Sequence, residues 1–141
     1  MKEELRTAVL ECWEEIPCNP CVTACPAGAI TMRSLSDLPV LEKNLCTGCG
    51  LCAVACPGLA IIILADNHDK LNGTLTIPYE FLPLPEKGSI VTGTDRRGVS
   101  ICSVEVLQVL CATTFRETCL VKVLVPKEYL NDVRGIKRIQ P

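Results

Sequence analysis

The sequence predicts an α+β chain in two parts. A cysteine-rich front half is built from two β–α–β repeats about a pseudo-twofold axis, and a small antiparallel β module follows. Two observations carry this. Within the first 64 residues, Cys18-Asn-Pro-Cys21-Val-Thr-Ala-Cys25-Pro26-Ala-Gly-Ala29-Ile30 aligns with Cys49-Gly-Leu-Cys52-Ala-Val-Ala-Cys56-Pro57-Gly-Leu-Ala60-Ile61, so that cysteines, prolines and an Ala-Ile pair fall in register. From residue 89 onward, β-branched and apolar runs are broken by turn residues.

Each repeat has the same order: a ligand loop, one short helix, a Pro-led turn and an apolar strand. The closing strands are expected at 29–32 and 60–64, and the opening strands at 7–10 and 40–43. Proline ends each helix because it cannot continue one. Behind the repeats, residues 65–73 read as a connector rich in Asp and Asn, and 79–88, with two prolines, as an extended segment laid on a surface. Residues 89–94 form a strand, and Asp95-Arg96-Arg97-Gly98 a turn. Strands at 99–110 and 119–125 flank a hairpin loop at 112–117, Pro126 ends the last of them, and 127–133 make one or two helical turns. The expected division is 1–65 for the repeats, 66–88 for linker and Pro-rich arm, and 89–141 for the β module, whose strands begin from about residue 75. Three or more strands with an apolar face can be independently stable.

The chemistry lies in the stretch Cys46-Thr-Gly-Cys49-Gly-Leu-Cys52-Ala-Val-Ala-Cys56-Pro57. Spacings of two, two and three residues before Cys-Pro are the bacterial pattern for an iron–sulfur cluster, in which the fourth cysteine serves the other cluster of a pair. Thiolates presented every third residue converge on one small metal cube while the turn wraps backbone N–H groups around it. Over so short a helix intrinsic propensity counts for little, and the metal fixes the geometry. The copies differ at one corner. The position equivalent to Cys46 in the first copy is Glu15, and Cys12 lies six residues before Cys18. A three-residue insertion including Pro17 lets Cys12 reach that corner; were it not a ligand, the site would hold a three-iron cluster. Zinc is the blander alternative. It prefers two well-separated CxxC pairs, and a CxxCxxC run does not easily close one tetrahedron.

These residues closely resemble the bacterial-type ferredoxins that hold two [4Fe–4S] clusters, over residues 7–64. The resemblance implies that one cluster takes Cys46, Cys49, Cys52 and Cys25, and the other Cys18, Cys21, Cys56 and Cys12. Pro26 and Pro57, with Val22, Ile30, Leu51, Val54 and Ile61, would then shield the clusters from water and tune their potentials; as ordinary core they would look the same. More loosely, the whole chain resembles the small ferredoxin-like subunits of multi-subunit FAD-dependent amino-acid and amine dehydrogenases. That implies FAD-bearing partner chains in a hetero-oligomer, with a further [2Fe–2S] protein among the implied partners.

Composition sets the outer limits. The 141 residues carry a net charge of −2, with eleven cysteines and only five aromatic residues. Neither charge nor aromatics suggests nucleic acid. Residues 1–65 hold four basic and seven acidic side chains, and 96–141 eight basic and four acidic, which suggests a polar docking surface. The acidic start Met1-Lys2-Glu3-Glu4 does not read as a signal peptide, and the apolar run 59–65 is far shorter than the roughly 20 residues of a membrane span. A reducing cytoplasm that keeps thiolates for metal is therefore expected.

Other candidates read as structural. Cys102, Cys111 and Cys119 lack ligand spacing and are expected as small buried hydrophobes. Arg96 and Arg97 are expected in a solvated turn, Arg134, Lys137 and Arg138 in a solvated or docking tail, and His68 on the surface. No GxGxxG, Walker loop or Ser/His/Asp set is present. The expected role is thus a non-catalytic electron-transfer subunit relaying single electrons between a flavin-containing dehydrogenase and another carrier. The rivals are a freestanding ferredoxin with an added stabilising domain, and a structural iron–sulfur domain in a non-redox assembly.

Overall fold

The computed structural model describes residues 6–11, 18, 20–34, 36–56, 60–66, 68–80, 83–111 and 119–137. Both β–α–β repeats are present. The first runs β1 (Arg6–Leu10), α1 (Pro20–Ala24) and β2 (Ile30–Thr31); the second runs β3 (Val40–Leu41), α2 (Leu51–Ala55) and β4 (Ile61–Ala65). Their strands pair across the repeats. β1 lies antiparallel to β4, with Arg6 opposite Ala65 and Leu10 opposite Ile61, and β2 lies antiparallel to β3. The symmetry extends to single hydrogen bonds. Glu11 N–H donates to the Ala60 carbonyl and Glu42 N–H to the Ala29 carbonyl, each at 2.7 Å.

The remaining strands are β5 (Asn72–Tyr79), β6 (Ile90–Thr94), β7 (Ser100–Leu110), β8 (Cys119–Pro126) and β9 (Gly135–Ile136), with a 3-10 turn at Lys127–Tyr129. The main sheet has the order β1-β4-β5-β8-β7-β6-β9, so the architecture is mostly antiparallel sheet with two short helices. The repeats and the β module share this one sheet.

β5 is the first departure from expectation. Residues 72–79 fall in the stretch read as linker and arm, yet they form a strand hydrogen-bonded to β4 on one side and β8 on the other. The Asp/Asn-rich stretch survives as the tight turn before it: the Asp69 carboxylate accepts from the N–H groups of Leu71 and Asn72, each at 2.7 Å. Of the expected surface arm, Leu84 packs on the chain's own core and Pro85 is buried.

The sheet carries a core on each face, which explains the unbroken apolar run in β4. Ile61 and Ile63 face the cysteine-bearing loops with Ala8, while Ile62 and Leu64 face the other core with Leu75, Ile77, Val121 and Val123. A strand buried on both sides needs apolar residues at successive positions rather than alternate ones. β8 spans both cores in the same way. Val121, Val123 and Val125 belong to the larger core, whereas Leu120 joins Cys21, Cys52, Ala53 and Ile61. Leu120→Ala is therefore expected to cost about 2–5 kcal/mol and to loosen the cysteine loops with it. Denaturant unfolding and iron content of the purified variant measure the two effects.

The tail also differs from expectation. Gly135–Ile136 forms the edge strand β9 on β6, and Ile136 is buried. Arg138 lies outside the described residues. Among the described residues, no helix is long and apolar enough to cross a membrane.

Candidate functional site

Cys52 lies inside α2, and Cys46 and Cys49 lie in the loop that leads into it. Two glycines shape that loop. Gly48 and Gly50 have φ of 73° and 85°, in the left-handed region that L side chains rarely adopt. Both also stand against other elements. A methyl at Gly48 would sit 2.5 Å from Arg6 Cβ, and one at Gly50 would sit 2.8 Å from Leu120 Cδ1. The loop thus lies flush against edge strand β1 on one side and β8 on the other. Gly48→Ala combines backbone strain of about 1–3 kcal/mol with a clash against a strand. It is expected to abolish incorporation of the cluster held by this loop, which iron analysis and visible absorbance would show.

The loop closes over a cavity. Cys46, Cys49, Cys52 and Cys25 line it together with Ala8, Ile30, Leu41, Gly48, Gly50 and Ile63, and it is partly open to solvent. Cys25 comes from the first repeat, so this cavity gathers the one cross-over thiol that the family resemblance assigned to it. The electrostatics agree. Burial pushes the Cys52 thiol up to about 12, and charge on Cys46, Cys49 and Cys25 adds to the shift. Cys21 is raised mainly by burial and then by Cys56, with a smaller contribution from Cys18. Cys56, from the second repeat, packs against the same core as Cys21. Cys12, the expected fourth thiol of that group, lies outside the described residues, as do Pro17 and Pro57.

Backbone N–H groups point at three of the sulfurs. Ala8 N–H donates to Cys46 Sγ at 3.3 Å, Ala29 N–H to Cys25 Sγ at 3.3 Å and Ala60 N–H to Cys56 Sγ at 3.5 Å. Ala29 and Ala60 are the alanines of the repeated Ala-Ile pair, each four residues beyond its cysteine. Their role was legible only as an unexplained match between the copies.

The residues present fit iron–sulfur clusters. The donors are all thiols, they ring a space rather than converge on a point, and N–H groups are at hand for the sulfurs. Among the described residues, no three His, Cys, Asp or Glu side chains are placed to hold a single metal ion. The Cys21 and Cys52 thiols, raised by burial, resist ionisation, so metal binding there must displace their protons, and its free energy becomes folding free energy. Bound clusters would supply one-electron redox chemistry. The chain would hold them through these thiols, direct N–H dipoles at the sulfurs and wall them with Ile30, Leu41, Ile61 and Ile63. Val22 and Val54 pack on the same core. Leu51 is half-buried and Pro26 is exposed.

Three structural assignments need correction. Cys111 and Cys119 are not separate buried hydrophobes: Cys111 is exposed, and the two form a disulfide. Cys102 is a half-buried free thiol. Arg134 is not solvated, and Arg96, although exposed in its turn as expected, is paired. Arg96 binds the Glu11 carboxylate through Nε at 3.0 Å and Nη2 at 2.7 Å, and Arg134 Nε donates to the same carboxylate. Arg134 also donates to the carbonyls of Leu130 and Val133 at 2.9 and 2.7 Å. A carboxylate at the end of β1 captures both guanidinium groups, a long-range pairing with no local signature. Arg97 stays exposed beside Asp95, and His68 and Lys137 are exposed, as expected.

Residues 16–60 match the family described as a 4Fe-4S dicluster domain. Hydrogenase-4 component A of Escherichia coli (strain K12) is 50% identical over 42 residues, 30% of this chain and 20% of that protein. The ferredoxin-type protein NapF of the same strain is 40% identical over 52 residues, 35% of this chain and 32% of its own length. The polyferredoxin-like subunit of the aliphatic sulfonate oxidoreductase of Pyrococcus furiosus is 39% identical over 44 residues, 31% of this chain and 25% of that subunit. The chain spans less than a third of the length of the curated relatives it matches. No solved structure matches it. Residues 16–60, within the cysteine-rich front half, are thus similar to an iron–sulfur dicluster domain.

Proposed function

We propose that the chain holds two [4Fe–4S] clusters and relays single electrons, as a subunit of an oxidoreductase complex, between a flavin-containing dehydrogenase partner and another carrier. The observation that carries this is the exchange of thiols between repeats. Cys25 joins the cavity of Cys46, Cys49 and Cys52, and Cys56 packs against the core that holds Cys21. The two groups share one apolar core through Cys21, Cys52, Ile61 and Leu120, so two clusters held there would lie close together and insulated. Cys49 is exposed and Cys52 buried, which makes Cys49 the side from which a carrier would exchange electrons. A flavin suits the other end, because it takes a hydride as two electrons and can release them singly. Relatives that are components of a hydrogenase and of a sulfonate oxidoreductase support membership of a complex.

A freestanding ferredoxin is the second reading, and one observation favours it. β5, Leu120 and Arg134 all brace the cluster-bearing half, so the β module has an internal task and need not dock a partner. Affinity purification from the native host separates the two readings. Stoichiometric flavin-containing chains are expected with this protein, whereas a chain that always runs alone and flavin-free would leave the freestanding reading. Iron should approach about eight atoms per chain for two cubane clusters, and stoichiometric zinc would overturn both readings.

A further inference from the structure

We propose that the Cys111–Cys119 disulfide is a two-electron redox site of this chain, reduced by electrons that reach it from the neighbouring cluster cavity. The inference rests on reading the thiols of that cavity as cluster ligands, not on the identity of any partner.

The placement is the argument. Cys111 and Cys119 close the β7–β8 hairpin, directly beyond the Leu110–Leu120 pair. Leu120 follows Cys119 in the chain, lies against Gly50 of the cluster loop and shares a core with Cys52. One residue of strand therefore separates the disulfide from the wall of the cavity lined by Cys46, Cys49, Cys52 and Cys25. The other side of Cys119 is protein as well, since it pairs with the buried Tyr79 of β5. The two sulfurs are unequally placed: Cys111 is exposed and Cys119 is half-buried. Thiol–disulfide exchange needs one accessible sulfur to meet a partner and one shielded sulfur to resolve the mixed disulfide. Cys111 has the first position and Cys119 the second.

The step balances once each of the two clusters has taken one electron from a one-electron donor. The S–S bond breaks, two electrons and two solvent protons enter, and two thiols result. Two clusters, each giving one electron and each oxidised by one, supply the pair. The chemical class such a dithiol would act on is a partner's disulfide, attacked by Cys111 and released when Cys119 displaces it.

The test uses the holoprotein under anaerobic photoreduction, with cluster reduction followed by EPR. Alkylation and mass spectrometry then read the state of Cys111 and Cys119. Both cysteines should resist alkylation in the denatured, unreduced protein. After cluster reduction both should be labelled, in step with reoxidation of the clusters, and in a Cys46→Ser variant the pair should stay oxidised under the same light. Labelling before reduction, a disulfide that persists beside EPR-reduced clusters, or equal reduction in Cys46→Ser would each overturn the proposal. Clusters that never take up an electron would overturn the relay function as well, which distinguishes that failure from the others.

Discussion

Cys25→Ser should remove the same cluster as Cys46→Ser, although the two residues belong to different sequence repeats. Each variant should fall from about eight iron atoms per chain to about four, with the same EPR signal lost. The double variant should be no worse than either single one. Cys56→Ser should instead share its phenotype with Cys18→Ser and Cys21→Ser. The reason is spatial: Cys25 lines the cavity of Cys46, Cys49 and Cys52, and its charge acts on Cys52, whereas Cys56 acts on Cys21. Cluster binding also contributes to folding, so each variant should unfold at lower denaturant in proportion to the iron it has lost. If Cys25→Ser instead shared its phenotype with Cys21→Ser, the exchange between repeats would be wrong.

Arg134→Ala should be the most damaging change among the charged residues. The Arg134 side chain is 8% exposed and that of Glu11 is 17% exposed, so the pair is largely out of water. Removing one partner of a buried pair costs about 3–5 kcal/mol. The low end is expected here, because the half-exposed Arg96 still binds Glu11. Replacing Arg134 with methionine and Glu11 with glutamine together should recover part of the loss, since no uncompensated charge is then left behind.

The same pair sets a pH dependence. The Glu11 carboxyl is held below its ordinary 4.5, first by its hydrogen bond to Arg96 and then by Arg134, against the opposing effect of burial. A carboxyl depressed in the folded state contributes stability that is complete above the unfolded value and is lost as pH falls through the folded value. Wild-type stability should therefore decline below about pH 4.5 more steeply than that of Glu11→Gln. Denaturant unfolding of both proteins at several pH values, compared as a difference, separates this effect from acid loss of the clusters, which both share.

Much of the candidate site was legible in the residues because its chemistry is local. Cysteines at spacings of two, two and three, followed by proline, point to both the iron–sulfur chemistry and the short helix, and a partial copy in register marks the repeat. The strand order of the repeats follows, since each helix must be entered and left by a strand. The contents of the β module were also legible as β-branched runs between turns. What could not be read was how the two halves meet. β5 lacks clean alternation because it is buried on both faces between β4 and β8, so it looked like the end of a connector. Glu11 and Arg134 are ordinary charged residues until the fold places them together.

The amino-acid order by itself determined the cysteine repeats, whose spacing matches an iron–sulfur domain, and a second half that folds as antiparallel sheet. Ligand spacing and β-branched periodicity are short-range properties. Only the tertiary structure decided that both halves share one sheet, that Leu120 props the cluster loop and that two arginines hold the end of β1. It also joined Cys111 to Cys119. All of these are contacts between residues distant in the chain or across a hairpin, set by burial and charge pairing that no local pattern encodes.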